Sequence, residues 1–354
     1  MRFYSPLPAG AEAAYIQLYE IAQQAEFCRS ISNLSGSIQF KDVGGKSYAY
    51  FAYRDAITGR GVQLYIGPDS PAVRELRTRC KQDPPSALAI GRHAGAALSH
   101  GCSSTISKHY RVIRQLADSQ FFRAGGLLIG SHAFQALGNM LGVRWGADTT
   151  TLDVDFAHAG RSGNISVALP ADLHINVHSA IEALEMGFLP ATDLGGRSNP
   201  STYANPAEPE LRLDFLTTPQ RTSDVVEEPA LGVALQPMKF MDYLIEQPTQ
   251  SVLIRPTAAV VINVPSPGRF ALHKLIVAQE RPVKEQTKAN KDVRQAAALL
   301  EYLMDQAPHE LDQAWSVLQE KGAGWVQRID ESQKPLASLA PELAARFAQF
   351  RADN

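Results

Sequence analysis

Residues 124–158 read AGGLLIGSHAFQALGNMLGVRWGADTTTLDVDFAH. An apolar run, Leu127 to Ile129, meets a Gly130-Ser131 turn. His132 to Leu141 then carries Phe134, Leu137, Met140 and Leu141 at helical spacing. Further on the period changes. Leu152, Val154 and Phe156 alternate with Asp153 and Asp155, and successive side chains on a strand point to opposite faces. The apolar residues therefore predict a core-facing side, and the two carboxylates share the other, with Cα atoms about 6.6 Å apart at two rises of roughly 3.3 Å. Two acids on one open face repel each other unless a cation lies between them. Their spacing suits a pair of divalent cations roughly 3.5–4 Å apart.

Residues 211–216, LRLDFL, repeat this logic with one acid. Leu211, Leu213 and Phe215 form the apolar side, while Arg212 and Asp214 take the other. Gly-Ser after a strand, Asp-x-Asp on the next strand and a lone Asp on a later one resemble the nucleotidyltransferase superfamily typified by DNA polymerase β. The resemblance implies that Gly130 and Ser131 hold the terminal phosphates of a nucleoside triphosphate at a helix start. It further implies that Asp153, Asp155 and Asp214 bind two Mg²⁺ ions, with Mn²⁺ as a substitute, and that a nucleoside monophosphate passes to a hydroxyl. The interval between Ser131 and Asp153 exceeds the family's usual spacing, so residues 142–150 read as an inserted loop.

A second block begins at Val264, VPSPGRFALHKLIVAQERPVKEQTKANKDVRQAAALLEYL. Its phrases RFALHKL (269–275) and KDVRQA (291–296) resemble bacterial nucleotidyltransferase-like proteins that include abortive-infection and toxin–antitoxin toxins. By that likeness Lys274, Arg281, Lys288 and Asp292 join the nucleotide site, and a cognate antitoxin becomes an expected partner. The physics agrees for the cations. Lys274 and Arg281 lie seven residues apart, which puts them on one helical face before Pro282 ends the helix. On the following helix Lys288, Asp292 and Gln295 share a face, and Ala296, Leu299, Leu300 and Leu303 supply the buried side. Positive side chains aimed at a triphosphate neutralise charge that metal ions leave over.

With 354 residues, 45% of them hydrophobic and 20% charged, the chain has the composition of a soluble globular protein of two or three domains. No run approaches the roughly 20 apolar residues of a membrane span, and the opening residues do not read as a signal peptide. Three cysteines, Cys28, Cys80 and Cys102, show no metal-ligand spacing and read as reduced thiols of a cytoplasmic protein.

The amino-terminal part has its own pattern. Tyr15 to Phe27 reads as a helix, followed by strand-like pieces at 36–41, 46–54 and 61–66, with Gly44-Gly45 as a hairpin turn. Helices follow from Ser70-Pro71 to about Lys81, from Ala87 to Leu98 and from Ser107 to Leu116, while 199–210, rich in Pro, Ser and Asn, reads as a loop. Residues 1–120 hold 14 Lys and Arg against 9 Asp and Glu, a net of +5, and the remainder carries −7. Arg74, Arg77 and Lys81 share one helical face, as do Lys108, Arg111 and Arg114. A basic part beside an acidic catalytic one suits RNA or tRNA as acceptor, with Tyr48 and Tyr50 available to stack bases. As core residues the same tyrosines would carry no such role.

The expected protein is an α/β (α+β) enzyme built on a mixed sheet. A basic α+β appendage spans 1–120, a nucleotidyltransferase core 121–235 and a mainly helical part 236–354 that completes the nucleotide site. ATP or another NTP is the donor. RNA, a protein side chain or a small molecule is the acceptor, and no membrane is involved. The rival from another class is a non-catalytic nucleotide- or RNA-binding protein retaining the fold. His132 after the Gly-Ser turn reads as a surface residue, the i, i+4 pair His174 and His178 as structural, and Gly195-Gly196-Arg197-Ser198 as a flexible turn.

Overall fold

In the computed structural model the described residues are 2–32, 36–54, 61–80, 87–146, 153–160, 175–192, 198–219 and 225–353. The chain opens with β1 (Tyr4–Pro6) and the long helix α1 (Ala9–Ser32), which begins a turn and a half before the residue at which apolar spacing first becomes regular. A meander follows: β2 (Gly36–Val43), β3 (Lys46–Arg54) and β4 (Gly61–Pro68). Gly44 and Gly45 both adopt positive φ, +60° and +76°, the backbone that a tight two-residue hairpin requires and that glycine adopts without a Cβ penalty. Then come α2 (Pro71–Cys80), α3 (Ala87–Ser99) and α4 (Ser107–Asp118). At the start of α2 the Ser70 hydroxyl accepts from the Val73 amide, and Pro71 fits the first turn because its missing donor has no helical partner to lose.

The central elements are β5 (Leu127–Leu128), α5 (Gly130–Met140), β6 (Val143–Trp145), β7 (Val154–Ala157), α6 (Val177–Glu182), β8 (Leu189–Thr192), β9 (Ser198–Asn205), β10 (Glu208–Thr217), β11 (Val226–Glu228) and β12 (Val233–Pro237). Strands β11-β12-β10-β7-β5 form one mixed sheet in that order, and β9 pairs with β10 and β8. β10 runs parallel to β7 and β12, whereas β5 runs antiparallel to β7. The protein is thus mixed α+β. Val154, Phe156, Leu213 and Phe215 are buried on one face, where the Phe156 and Phe215 rings stack at 5.2 Å and Phe121 meets both edge-on.

Two segments depart from the loop reading. Residues 199–210 contain most of β9 and the start of β10, with Ser201, Tyr203 and Asn205 buried at strand period. Pro, Ser and Asn bias a segment toward turns, but pairing with β10 satisfies this backbone and overrides that bias. Within 142–150, Val143–Trp145 is β6, which pairs antiparallel with β1; residues 147–150 lie outside the described residues. The β1–β6 pairing joins residues as far apart as Tyr4 and Trp145, so no window of sequence displays it, whereas β9 and β10 form a local hairpin across Pro206-Ala207.

The carboxy-terminal part holds α7 (Met241–Ile245), the hairpin β13 (Thr249–Arg255) and β14 (Ala258–Val264), then α8 (Pro267–Glu280), α9 (Gln286–Gln306), α10 (Pro308–Glu320), α11 (Ala323–Leu339) and α12 (Pro341–Asp353). Proline opens α8 and α10 at a position that tolerates its missing donor. Ala296, Leu299, Leu300 and Leu303 on α9, with Leu311, Trp315 and Leu318 on α10, are buried in one cluster. Ala11 and Leu18 of α1 and Ala94 and Ala97 of α3 share a second cluster with Val252, Ile254 and Val261, so these amino-terminal helices pack on the β13–β14 hairpin. Cys102 is a buried free thiol in that cluster. Among the described residues no helix is long and apolar enough to cross a membrane.

Candidate active site

β7 and β10 place the acids. Asp155 is the parallel register partner of Asp214, with Val154 and Leu213 one step before and Phe156 and Phe215 one step after. Asp153 lies one residue ahead of β7. With the apolar neighbours buried on one face, Asp153, Asp155 and Asp214 occupy the other, each partly accessible.

β5 and α5 bring up the second wall. Ile129 donates its amide to the Asp155 carbonyl at 2.9 Å, which fixes the strand-to-helix turn against β7. Gly130, the first residue of α5, has φ +65°, and a Cβ there would run into the Asp155 carboxylate. Glycine is needed twice at this point, for the left-handed backbone and for the close approach. Gly130→Ala is expected to cost about 1–3 kcal/mol from the backbone alone and to displace Asp155. A thermal melt reads the first effect, and a melt equal to that of the unchanged chain refutes it. Asn263 anchors the preceding loop, donating to the carbonyls of Phe122 and Gly126 at 2.6 and 2.9 Å.

Behind the turn the surroundings are polar but buried. Ser131 accepts from Gln295 Nε2 at 3.3 Å, and Gln295 is fully buried. His132 Nε2 and His109 Nδ1 lie 2.8 Å apart. Burial first, then the neighbouring His109 and Lys291, push His132 down to about 3, so it is neutral near pH 7. His132 Nδ1 and Gln295 Oε1 are buried without a protein hydrogen-bond partner.

The cations arrive from α8 and α9. Lys274 Nζ meets Asp292 Oδ1 at 2.6 Å, and Arg281 Nε meets Asp292 Oδ2 at 2.6 Å. Arg281 also contacts Glu285 at 3.1 Å. Lys288, in the first turn of α9, lies 3.7 Å from Asp153. Arg281 is not on the helix with Lys274, as its spacing implied. It is the extended residue after α8, at φ −71° and ψ 134°, because the following Pro282 disfavours helical backbone before it. Asp292 lies well below the ordinary carboxylate range: burial pushes it up, and Lys274 and Arg281 more than offset that.

Asp155 behaves in the opposite way. Burial and then the charges of Asp214 and Asp153 raise it to about 6, opposed by Lys274 and Lys288. Both lysines therefore act on the same carboxylate cluster. The side chains do not close into a cage as they stand. Asp214 Oδ1 accepts from the Thr202 hydroxyl at 2.7 Å and lies 3.8 Å from Arg212. Among the described residues no three His, Cys, Asp or Glu side chains converge as a ready metal site.

Thr202 and His109 thus join the site unannounced by any motif, whereas Gln295 belongs to the KDVRQA phrase and the face it shares with Lys288 and Asp292. The sequence offered no signal for Thr202, because its segment reads as a loop; only the structure shows Ser201 and Tyr203 buried on either side of it. Other expectations resolve as structural contacts. His178 pairs with Tyr203 and Glu182, and Lys108 and Arg114 bond Glu208 and Asp118. Leu152, Lys81, His174 and Gly195 to Arg197 lie outside the described residues.

A protein-family model described as nucleotidyltransferase matches residues 107–319, more than half of the chain. No curated protein and no solved structure matches it significantly.

Proposed function

The chain belongs to the nucleotidyltransferase family, and we propose that it transfers a nucleoside monophosphate from a nucleoside triphosphate to a hydroxyl acceptor with release of pyrophosphate. The observation that carries this reading is the parallel register of Asp155 and Asp214 against Gly130 at the start of α5. It places a carboxylate cluster beside a helix amino terminus, where backbone N–H groups and the helix dipole favour an anion.

The donor set fits divalent cations in its chemistry. Carboxylate oxygens are hard ligands suited to Mg²⁺, and Asp155, raised first by burial, is raised further by the crowded charges of Asp214 and Asp153. Asp153, Asp155 and Asp214 would hold two Mg²⁺ ions, which when bound supply Lewis acidity and lower the pKa of the acceptor hydroxyl. The remaining roles belong to the chain. Gly130 and Ser131 offer backbone donors to the terminal phosphates. Lys274 and Lys288 add positive charge that acts on Asp155, and Asp292 keeps Lys274 and Arg281 in place by binding both. In the reaction the acceptor oxygen bonds to the α-phosphorus while the bond to the β-phosphate bridging oxygen breaks. The acceptor proton passes to solvent and pyrophosphate leaves with the electron pair.

One observation favours a second reading. Asp214 is already engaged by Thr202 and Arg212, as it would be in a non-catalytic nucleotide-binding protein that kept the fold. Incubation with each α-labelled NTP, Mg²⁺ and cellular RNA, protein or metabolites separates the two. The enzyme labels one fraction in a Mg²⁺-dependent way; label in none of them leaves only the binding protein. Growth arrest of a host expressing the intact acids, absent with the acids replaced, would support the toxin form and its antitoxin.

A further inference from the structure

We propose that the open face of the β2–β3–β4 meander is a stacking platform for single-stranded RNA. The strand register puts Gln39 and Lys41 of β2 beside Tyr50 and Tyr48 of β3, and Tyr50 beside Tyr65 of β4. The rings confirm a common face: Tyr65 lies 6.1 Å from Tyr48 and 5.6 Å from Tyr50. Lys41 Nζ sits 5.6 Å over Tyr50 and also reaches Gln63 at 2.5 Å, so Lys41 and Gln63 belong to that face too. Tyr65 is 59% exposed, and Gln39, Lys41, Lys46 and Gln63 are exposed with it.

The reverse face is used structurally. Ile38 and Ala49 are buried there, and Arg77 of α2 lies over Phe40 at 5.3 Å. On the tyrosine face Tyr65 is exposed and Tyr48 and Tyr50 stay partly accessible, an arrangement that apolar cores do not produce. Its charge selects the occupant. Asp42 is the one acid in these three strands, and it is paired with Ser47 in the register, which places it on the reverse face. An exposed Tyr65 beside half-buried Tyr48 and Tyr50, with lysines among them and no carboxylate among the described strand residues of that face, matches the bases and phosphates of a single strand. Gln39 and Gln63 beside the rings can bond base edges and the 2′-hydroxyl, which distinguishes RNA from DNA. A protein partner would meet an aromatic face lacking the apolar centre that protein interfaces bury. As an account of the acceptor this proposal rests on the transfer reading; as a binding site it does not.

The test is fluorescence anisotropy of the full chain with a labelled single-stranded oligouridylate, at low salt and without triphosphate or metal. The unchanged protein should bind. Tyr65→Ala should weaken binding about tenfold or more, the effect of losing one stacked base, while Tyr65→Phe keeps the ring and the affinity. Lys41→Gln should weaken binding and flatten its salt dependence. Tyr48→Ala, read the same way, covers a Tyr65→Ala protein whose circular dichroism shows a loosened sheet. The proposal is overturned by an unchanged protein that does not bind, by alanine variants that bind equally, or by single-stranded DNA or duplex RNA bound as tightly. RNA binding without label transfer would overturn the transferase reading alone. Transfer to another acceptor without RNA binding would overturn the platform alone.

Discussion

Replacing Asp153 and Asp155 together with Asn is expected to lower Mg²⁺-dependent label transfer by at least about a thousandfold, the upper range for loss of one preorganised electrostatic contact. The fold should survive, and without metal it should become more stable. Asp155 is raised from 3.8 to about 6 by burial and by Asp214 and Asp153. A carboxyl with a raised folded pKa binds its proton more tightly when folded. Its contribution therefore favours the fold in acid, declines as pH rises from about 3.8 to about 6, and is flat above that. Near pH 7 the ionised group opposes folding by an amount on the order of 3 kcal/mol, which Asn removes.

His132 and His273, each pushed down to about 3 by burial, act with the opposite sign. Their neutral forms favour the fold above the ordinary histidine pKa, and that contribution is lost as pH falls. The difference between the variant and the unchanged chain, measured by urea unfolding in chelator, isolates the acids. That difference should be greatest at pH 7 and shrink toward pH 4, and saturating Mg²⁺ should reduce it by stabilising only the unchanged chain. Retained transfer in the variant, or a metal-free variant less stable at pH 7, would refute the assignment of these acids.

Much of this arrangement was legible because strand alternation is a local signal. Val154 and Phe156 around Asp155, and Leu213 and Phe215 around Asp214, announce two strands with apolar backs and acidic fronts. That the strands are neighbours in parallel register is a tertiary fact no spacing contains. The Gly130 turn could be read from composition, but its contact with the Asp155 carboxylate could not. The hairpin at Gly44-Gly45 and the boundary of α8 before Pro282 follow from backbone sterics alone. Arg281 could have been placed beyond the helix by that same argument. β9 stayed hidden because turn-forming residues fill a segment whose hydrogen bonds are supplied by β10. Asp292 was legible as a member of a charged motif, and only the structure reveals that it binds two cations at once.

That double contact makes Asp292→Ala the substitution with the largest expected loss of stability, about 3–5 kcal/mol, as when one partner leaves a buried ion pair. The Asp292 side chain is 4% exposed, and Lys274 and Arg281 are themselves largely covered. Removing the carboxylate leaves the largely covered Lys274 ammonium without its ion-pair partner, while Arg281 keeps only Glu285. The loss is a large share of a typical stability of about 5–15 kcal/mol, and the urea midpoint should fall with the slope unchanged. Lys274→Met should cost less, because Asp292 keeps Arg281. The two changes together should cost less than their sum, since each removes the partner the other leaves exposed. The lowered pKa of Asp292 adds a condition. Its contribution is intact above the ordinary carboxylate range and is lost only as pH falls through its lower folded value. The midpoint gap between Asp292→Ala and the unchanged chain should therefore hold steady from pH 8 to 5. An alanine variant within about 1 kcal/mol of the parent, a surface-pair value, would mean that Lys274 and Arg281 find solvent when released, and that Asp292 does not hold them for the site.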